Sequence, residues 1–172
     1  MKICFLDRDG VIIKDINYLR KLKDISFKPG IFEGLKKIQS LNYRIYIVTN
    51  QSAVARGYLS EKKLKIINNF IVKILLRKGI KIYKISYCPH HPNAKIKKYR
   101  KDCFFRKPKP GMVLKIIKKN KRCSKEKSFL IGDQFTDLKA GKKAGLRKNF
   151  LLKKGVNFHI FVKKLISLRK IN

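Results

Sequence analysis

Apolar positions along this chain fall into two alternating rhythms. Ile3-Cys4-Phe5-Leu6 is a short continuous apolar run, as expected of a strand buried on both faces. After the punctuation Phe27-Lys28-Pro29-Gly30, the positions Ile31, Leu35, Ile38 and Leu41 recur at helical spacing and predict a helix over 31–41. Arg44 to Thr49 (RIYIVT) is dense in β-branched residues and reads as a second buried strand. Ser60-Glu61 opens a long helix to about Arg77, with Leu64, Ile67, Ile71, Ile74 and Leu75 along one face. Ile82 to Tyr87 predicts a third strand, about Gly111 to Asn120 a helix, and Ser128 to Gly132 a fourth strand. A short helix through Ala144, a fifth strand near Asn149 to Leu152 and a last helix over about Phe158 to Leu168 complete the series. Two segments lack a period: the loop Asp15-Ile16-Asn17-Tyr18 and the stretch from Cys88 to Lys109.

Strand and helix alternate with no linker, internal repeat or low-complexity segment. The pattern therefore predicts an α/β fold, a Rossmann-like parallel sheet of about five strands with helices on both faces, forming one domain over residues 1–172. In such a sheet the carboxyl ends of the strands share one edge, where open α/β proteins place their ligands. Short polar clusters sit at these ends: Asp7-Arg8-Asp9-Gly10, Thr49-Asn50-Gln51-Ser52, and Asp133 with Thr136-Asp137. They should converge on a single site.

Composition narrows the class. No stretch approaches the ~18 consecutive apolar residues of a membrane span. The N-terminus runs straight into a strand, which leaves no room for a signal or transit peptide. Cys4, Cys88, Cys103 and Cys123 are irregularly spaced and do not form a secreted disulfide framework. A cytoplasmic protein is expected. The net charge of +35 invites a nucleic-acid partner, but 35 of the 45 basic residues are lysines spread over the whole chain. Ile, Asn, Tyr and Phe are also plentiful, and all five are spelled by A/T-rich codons, so compositional drift is the first reading. Against this background only 10 acidic residues remain, and Asp7, Asp9, Asp15, Asp133 and Asp137 fall beside strand ends. Such clustering is not solvated surface.

The chemistry follows from residue types. Asp7, Asp9 and Asp133 together would surround a small hard cation such as Mg2+, which prefers oxygen ligands. Thr49 and Asn50 can donate to phosphoryl oxygens, and Lys107 can neutralise charge that develops in an in-line displacement. A carboxylate nucleophile, Mg2+ and a lysine suit phosphoryl transfer through an aspartyl phosphate.

These segments, with Arg106-Lys107-Pro108 and Gly132-Asp133, resemble the four motifs of the haloacid dehalogenase superfamily of phosphatases. The finer resemblance is to the D-glycero-D-manno-heptose 1,7-bisphosphate phosphatase family, with histidinol-phosphatase as its close relative. It rests on VTNQSAVARG (Val48 to Gly57), CPHHP (Cys88 to Pro92) and RKPKPGM (Arg106 to Met112), and spans Ile3 to about Leu152. The resemblance implies removal of the 7-phosphate of heptose bisphosphate, a step toward lipopolysaccharide heptose, by a monomer without a large cap domain. Asp7 would be the nucleophile and a Mg2+ ligand. Asp9 would be the general acid and base, with its backbone carbonyl on the metal, and Asp133 would complete the metal site. Thr49 and Lys107 would steady the phosphoryl group. Asp15, Ile16, Asn17, Tyr18, Asn50, Gln51, Ser52, Arg106 and Gln134 would bind the substrate.

The chain departs from the family in three places. Family members follow Cys-Pro-His with a downstream Cys-x-Cys, which implies a structural Zn2+ in the 88–109 loop. Cys88, His90 and Cys103 match, but Phe105 stands at the fourth ligand. The expectation is a metal-free loop packed by Phe104 and Phe105, the alternative a weakened site completed by water, His91 or Asp102. Gln134 stands where the family has lysine, and Ala53 where it has glycine. Two other functions compete: histidinol-phosphatase, and a polynucleotide 3'-phosphatase or basic nucleic-acid-binding module. Polynucleotide phosphatases share TNQ and RKP-like segments but lack CPHHP, and no basic patch interleaved with aromatics is evident along the sequence. A small sugar phosphate is the expected partner, and nucleic acid is not.

Overall fold

A continuous apolar strand must bury both faces, and the first strand does so by strict alternation. In the computed structural model, which describes residues 1–172, β1 (Lys2–Leu6) turns Ile3 and Phe5 to one layer and Cys4 and Leu6 to the other. The remaining elements follow in chain order as α1 (Ile31–Ser40), β2 (Tyr43–Asn50), α2 (Ser52–Ala55), α3 (Glu61–Arg77) and β3 (Ile82–Cys88). Then come α4 (Gly111–Lys119), β4 (Phe129–Gly132), α5 (Phe135–Lys143), β5 (Lys148–Leu151) and α6 (Phe158–Ser167). Single 3-10 turns lie at Leu22–Asp24 and Lys97–Tyr99.

The five strands form one parallel sheet in the order β3-β2-β1-β4-β5, as the alternating pattern predicts. One layer packs Cys4, Leu6, Ile45, Ile47, Phe129 and Ile131 beneath the apolar faces of α1, α3 and α6. The other packs Ile3, Phe5, Tyr46, Val48 and Leu130 against Met112, Val113 and Ile116 of α4. No helix is long and apolar enough to cross a membrane.

β1 sits centrally, with β2 on one side and β4 on the other. The chain leaves toward opposite sheet edges from these neighbours, so a crevice opens at their carboxyl ends. Backbone pairing outlasts the strand by one residue, since the Asp7 N–H donates to the Ile131 carbonyl at 3.0 Å. β1 itself ends at Leu6, so Asp7 and Asp9 are presented by the turn that follows rather than by strand alternation.

Sequence periodicity missed three features. α2 spans four residues, too few to show a period. The aperiodic stretch after β1 is anchored through its core: Val11, Ile12, Ile13 and Leu19 are buried, and Ile13 bridges both Asp9 and Phe27. The 88–109 loop is anchored by polar contacts, with a His91–Arg100 bridge and the Tyr99 hydroxyl 3.0 Å from Glu61 of α3. Here the expected packing by Phe104 and Phe105 is not found. Their exposures are 53% and 37%; the two rings meet edge to face at 5.9 Å, with the Lys115 ammonium over Phe105 at 5.3 Å and Phe104 against Gly111. The buried residues are Cys88 and Cys103, because the loop turns its sulfur side inward against the α4 layer.

Candidate active site

The crevice at the β1, β2 and β4 ends is a cavity of about 210 Å³. Of the residues singled out from sequence, Asp7, Asp9, Asp15, Asn17, Tyr18, Asn50, Gln51, Ser52, Asp133 and Gln134 line it. Arg8, Leu19 and Ala53 line it as well. A wider cavity of about 640 Å³ adjoins it, sharing Asp15, Asn17, Asp133 and Gln134 and adding Ile16 and the lysines 14, 28 and 154. Thr49 and Lys107 lie buried at the site, and Arg106 lies outside both cavities.

Asp7 and Lys107 form the floor. The Lys107 ammonium is 2.9 Å from Asp7 Oδ1, 2.5 Å from Asp137 Oδ1 and 2.9 Å from the Val48 carbonyl. Burial alone would lower the lysine pKa, but the two carboxylates outweigh it and hold Lys107 above its ordinary value. Asp7 behaves oppositely. Burial, reinforced by Asp137 and Asp9, overcomes the lysine and pushes its pKa up to about 7. Asp133 is also raised, first by burial and then by Asp137. Burial is the first cause of both shifts.

Carboxylate oxygens of Asp7, Asp133 and Asp137 lie within 4.8 Å of one another. Three hard oxygen donors this close together suit Mg2+. Asp137 is already committed, to Lys107 through Oδ1 and to the Gln134 backbone N–H through Oδ2 at 3.0 Å. The Asp9 side chain is outside this trio, while its backbone carbonyl accepts no backbone hydrogen bond. Gly10 makes the close approach feasible: its φ is +78°, and a Cβ there would sit 2.2 Å from Asp133 Oδ2.

Asp9 is held by a buried network. Arg8, 1% exposed, donates to both Asp9 carboxylate oxygens at 2.9 Å, to Gln51 Oε1 at 2.9 Å and to Asn68 of α3 at 2.8 Å. Gln51 Nε2 in turn donates to Asp9 at 2.7 Å and to Thr49 Oγ1 at 2.9 Å. The Thr49 hydroxyl thus accepts from below and keeps its own proton to donate. Asn50 has a different part from a simple phosphoryl donor, since its amide clamps the Lys107 backbone from both sides, at 3.0 and 3.1 Å. Asn68 was not anticipated, and Arg8 and Asp137, though placed at the strand ends, were given no role. Asp137 alone left a sequence signal, as a second acid four residues after Asp133 in an acid-poor chain.

Known proteins resemble this chain over most of its length. A family model described as polynucleotide kinase 3 phosphatase matches residues 2–159. D-glycero-alpha-D-manno-heptose-1,7-bisphosphate 7-phosphatase of Photorhabdus laumondii is 44% identical over 155 residues, 90% of this chain and 84% of the relative. The corresponding beta-anomer enzyme of Pasteurella multocida is 38% identical over 154 residues, 90% of this chain and 83% of the relative. The chain belongs to this phosphatase family, on its heptose-bisphosphate branch. A solved D,D-heptose 1,7-bisphosphate phosphatase from B. bronchiseptica, complexed with magnesium and phosphate, shares the fold of this phosphatase. Its TM-score is 0.82 at 24% identity, covering 98% of this chain and 99% of that one. The fold is that of haloacid dehalogenase phosphatases.

Two further clusters flank the phosphatase site. In the 88–109 loop, ligand atoms of Cys88, His90 and Cys103 lie within 4.8 Å of one another, and Cys88 Sγ is 3.8 Å from His90 Nδ1. Burial first, then Cys103, pushes the Cys88 thiol up to about 12. Phe105 brings no fourth donor. At the mouth of the main cavity, Tyr18 and Tyr58 pack at 5.1 Å, with Arg56 over the Tyr18 ring at 5.8 Å and Arg20 over Tyr58 at 5.1 Å. An interleaving of arginine and aromatics that is invisible along the sequence is therefore assembled in space. Arg106 donates to the His90 carbonyl at 3.1 Å. Burial, outweighing the raising pull of Cys88 and aided by Arg56, holds the Arg106 pKa below its ordinary value.

Proposed function

We propose that this phosphatase hydrolyses the 7-phosphate of D-glycero-D-manno-heptose 1,7-bisphosphate with Mg2+ through an aspartyl phosphate on Asp7. The observation that carries the reading is the buried Asp7–Lys107 pair on the floor of an open cavity, with Asp133 alongside. Asp7 attacks phosphorus, an Asp7–O–P bond forms, and the bond to the sugar oxygen breaks. Asp9 protonates that leaving oxygen. It then takes a proton from the water that releases phosphate and restores Asp7. Lys107 favours the charged form of Asp7 against its burial, and Lys107 and the Thr49 hydroxyl meet the phosphoryl oxygens. Asp7, Asp133 and the Asp9 carbonyl would hold Mg2+, which supplies charge neutralisation for the phosphoryl group. Asp15, Asn17, Tyr18, Ser52 and Gln134 form the walls against the sugar, with Ile16 in the adjoining cavity. Cys88, His90 and Cys103 are the residues that would hold Zn2+, and its role would be confined to shaping the loop.

One observation favours a second reading. The aromatic and arginine residues at the mouth could stack bases, which suits the 3'-phosphate of a polynucleotide. A single assay separates the readings. Phosphate release with Mg2+ is measured from both anomers of heptose 1,7-bisphosphate, from histidinol phosphate and from a 3'-phosphorylated oligonucleotide, with Asp7→Asn as control. The bisphosphate is expected to have the highest kcat/KM. Preference for the oligonucleotide or for histidinol phosphate would overturn the proposed substrate.

A further inference from the structure

In the proposed reaction Asp9 must bring a carboxyl oxygen within hydrogen-bond reach of the leaving sugar oxygen. Productive geometry of this kind tolerates about 0.5 Å, so the side chain needs a rigid holder. Donors reach Asp9 from two side chains. Arg8 donates to Oδ1 through Nε at 3.2 Å and to both oxygens through Nη2 at 2.9 Å. Gln51 Nε2 donates to Oδ2 at 2.7 Å. Gln51 depends on the same fork, since its Oε1 accepts from Arg8 Nη2 at 2.9 Å and so turns Nε2 toward Asp9. Both holders of Asp9 are therefore only as firm as one guanidinium.

An arginine side chain is rich in rotamers, so its fork must be fixed at more than the working edge. Nη1 is the remaining nitrogen. Its side-chain acceptor is Asn68 Oδ1, at 2.8 Å. The planar group is thus held at separate nitrogens, by Asp9 and Gln51 on one part and by α3 on the other.

Nothing in the packing of α3 calls for an amide at this position. Five residues of the helix are buried, and four of them, Leu64, Ile67, Ile71 and Leu75, are aliphatic. Asn68 is the fifth, 5% exposed. A buried amide costs stability unless it is hydrogen-bonded, whereas leucine at that place would continue the apolar face. The Asn68 side chain makes one hydrogen bond, the one to Arg8. The element that carries it is stiff: α3 runs for 17 residues, is capped by Ser60, and buries its apolar face under the sheet.

We infer, on the proposed reading of Asp9 as general acid, that Asn68 is a positioning residue that fixes the Arg8 fork and thereby aims Asp9 at the leaving group. Asp7, Lys107 and Asp133 do not depend on it. The step that suffers without it is the one in which the sugar O–P bond breaks and the Asp9 proton passes to that oxygen.

The test varies the leaving group. An alkyl phosphate such as heptose 1,7-bisphosphate expels a strongly basic alkoxide unless Asp9 supplies a proton, whereas p-nitrophenyl phosphate expels a stable phenolate that needs none. Comparing kcat/KM confines the readout to the steps up to that departure and leaves out hydrolysis of the aspartyl phosphate. Asn68→Leu should lose about 10- to 100-fold on the bisphosphate and less than about threefold on the aryl ester. Asn68→Asp, which keeps the acceptor oxygen, should recover most of the loss. Equal losses on the two esters, no loss on either, or an aspartate variant as poor as the leucine variant overturns the inference. Circular dichroism checks folding, and Asn68→Ala carries the same comparison if Asn68→Leu does not fold. Should the wild type turn over the aryl ester too slowly to measure, the crystal structure of Asn68→Leu decides: a displaced Asp9 carboxylate supports the inference and an unmoved one overturns it. A wild type inactive on the bisphosphate but active on another alkyl phosphate overturns only the substrate, and the comparison is made with that ester. Asp9→Asn separates the two levels. If it loses equally on both esters, the role of Asp9 falls, and the proposed reaction with it, whatever Asn68 does.

Discussion

At the scale of single residues, the site is defined by a carboxylate that the fold makes expensive to ionise. Asp7 is raised to about 7, chiefly by burial, so the folded protein binds its proton more tightly than the unfolded chain does. The sign follows. The term favours folding at low pH and is lost as pH rises from the ordinary carboxylate value through about 7. Asp7→Asn removes it, so without metal the variant should match the wild type most closely below about pH 4 and melt several degrees higher at pH 8. It should release no phosphate at either pH. Mg2+ should raise the melting temperature of the wild type and leave the variant almost unchanged, since the ion needs the ionised carboxylate. A variant less stable than wild type at pH 8 would show that the Lys107 contact, rather than burial, dominates. Such residues were legible because their chemistry sits in short motifs. Arg8 and Asn68 were not, because their meeting joins a strand end to a helix 60 positions away. Nothing local in sequence encodes that contact.

At the scale of elements, the regular pieces were legible to within a residue or so, while the connections were not. Periodicity reports burial of one face, which every helix here has, but it is silent on loops held by a bridge or a hydrogen bond. The turn after β1 illustrates what such a connection does. Gly10 and Gly79 have nearly equal φ, +78° and +77°, yet a Cβ on Gly79 meets nothing within 4 Å. A Cβ on Gly10 meets Asp133. Alanine at either position should cost about 1–2 kcal/mol of left-handed strain by urea titration. Only Gly10→Ala should also push Asp133 aside and raise the Mg2+ concentration for half-maximal activity. Equal Mg2+ requirements in the two variants would mean that Asp133 is not held by this packing. The 88–109 loop has the same lesson in reverse: its phenylalanines suggested a packed interior, but the inward places are taken by Cys88 and Cys103.

At the scale of the whole molecule, charge is the dominant unbalanced quantity. Five of the 10 acidic residues, Asp7, Asp9, Asp15, Asp133 and Asp137, gather at the cavity on the strand ends. The outer surface is left with few anions for its lysines, and just two of the ion pairs, Lys109–Asp102 and Arg147–Glu126, lie on the exposed surface. Exposed pairs add at most about 1 kcal/mol each, so they do little against the mutual repulsion of a +35 chain. Repulsion between exposed charges is screened once the Debye length falls to about 8 Å near physiological ionic strength. The protein should therefore melt several degrees higher in 0.3 M than in 0.01 M sodium chloride, the opposite of a fold held by surface ion pairs. Buried pairs such as Lys107–Asp137 are shielded from salt, so the Asp7→Asn difference at pH 8 should persist across the same range. A melting temperature that falls with salt would require favourable long-range attractions, and a surface this poor in acids offers almost none.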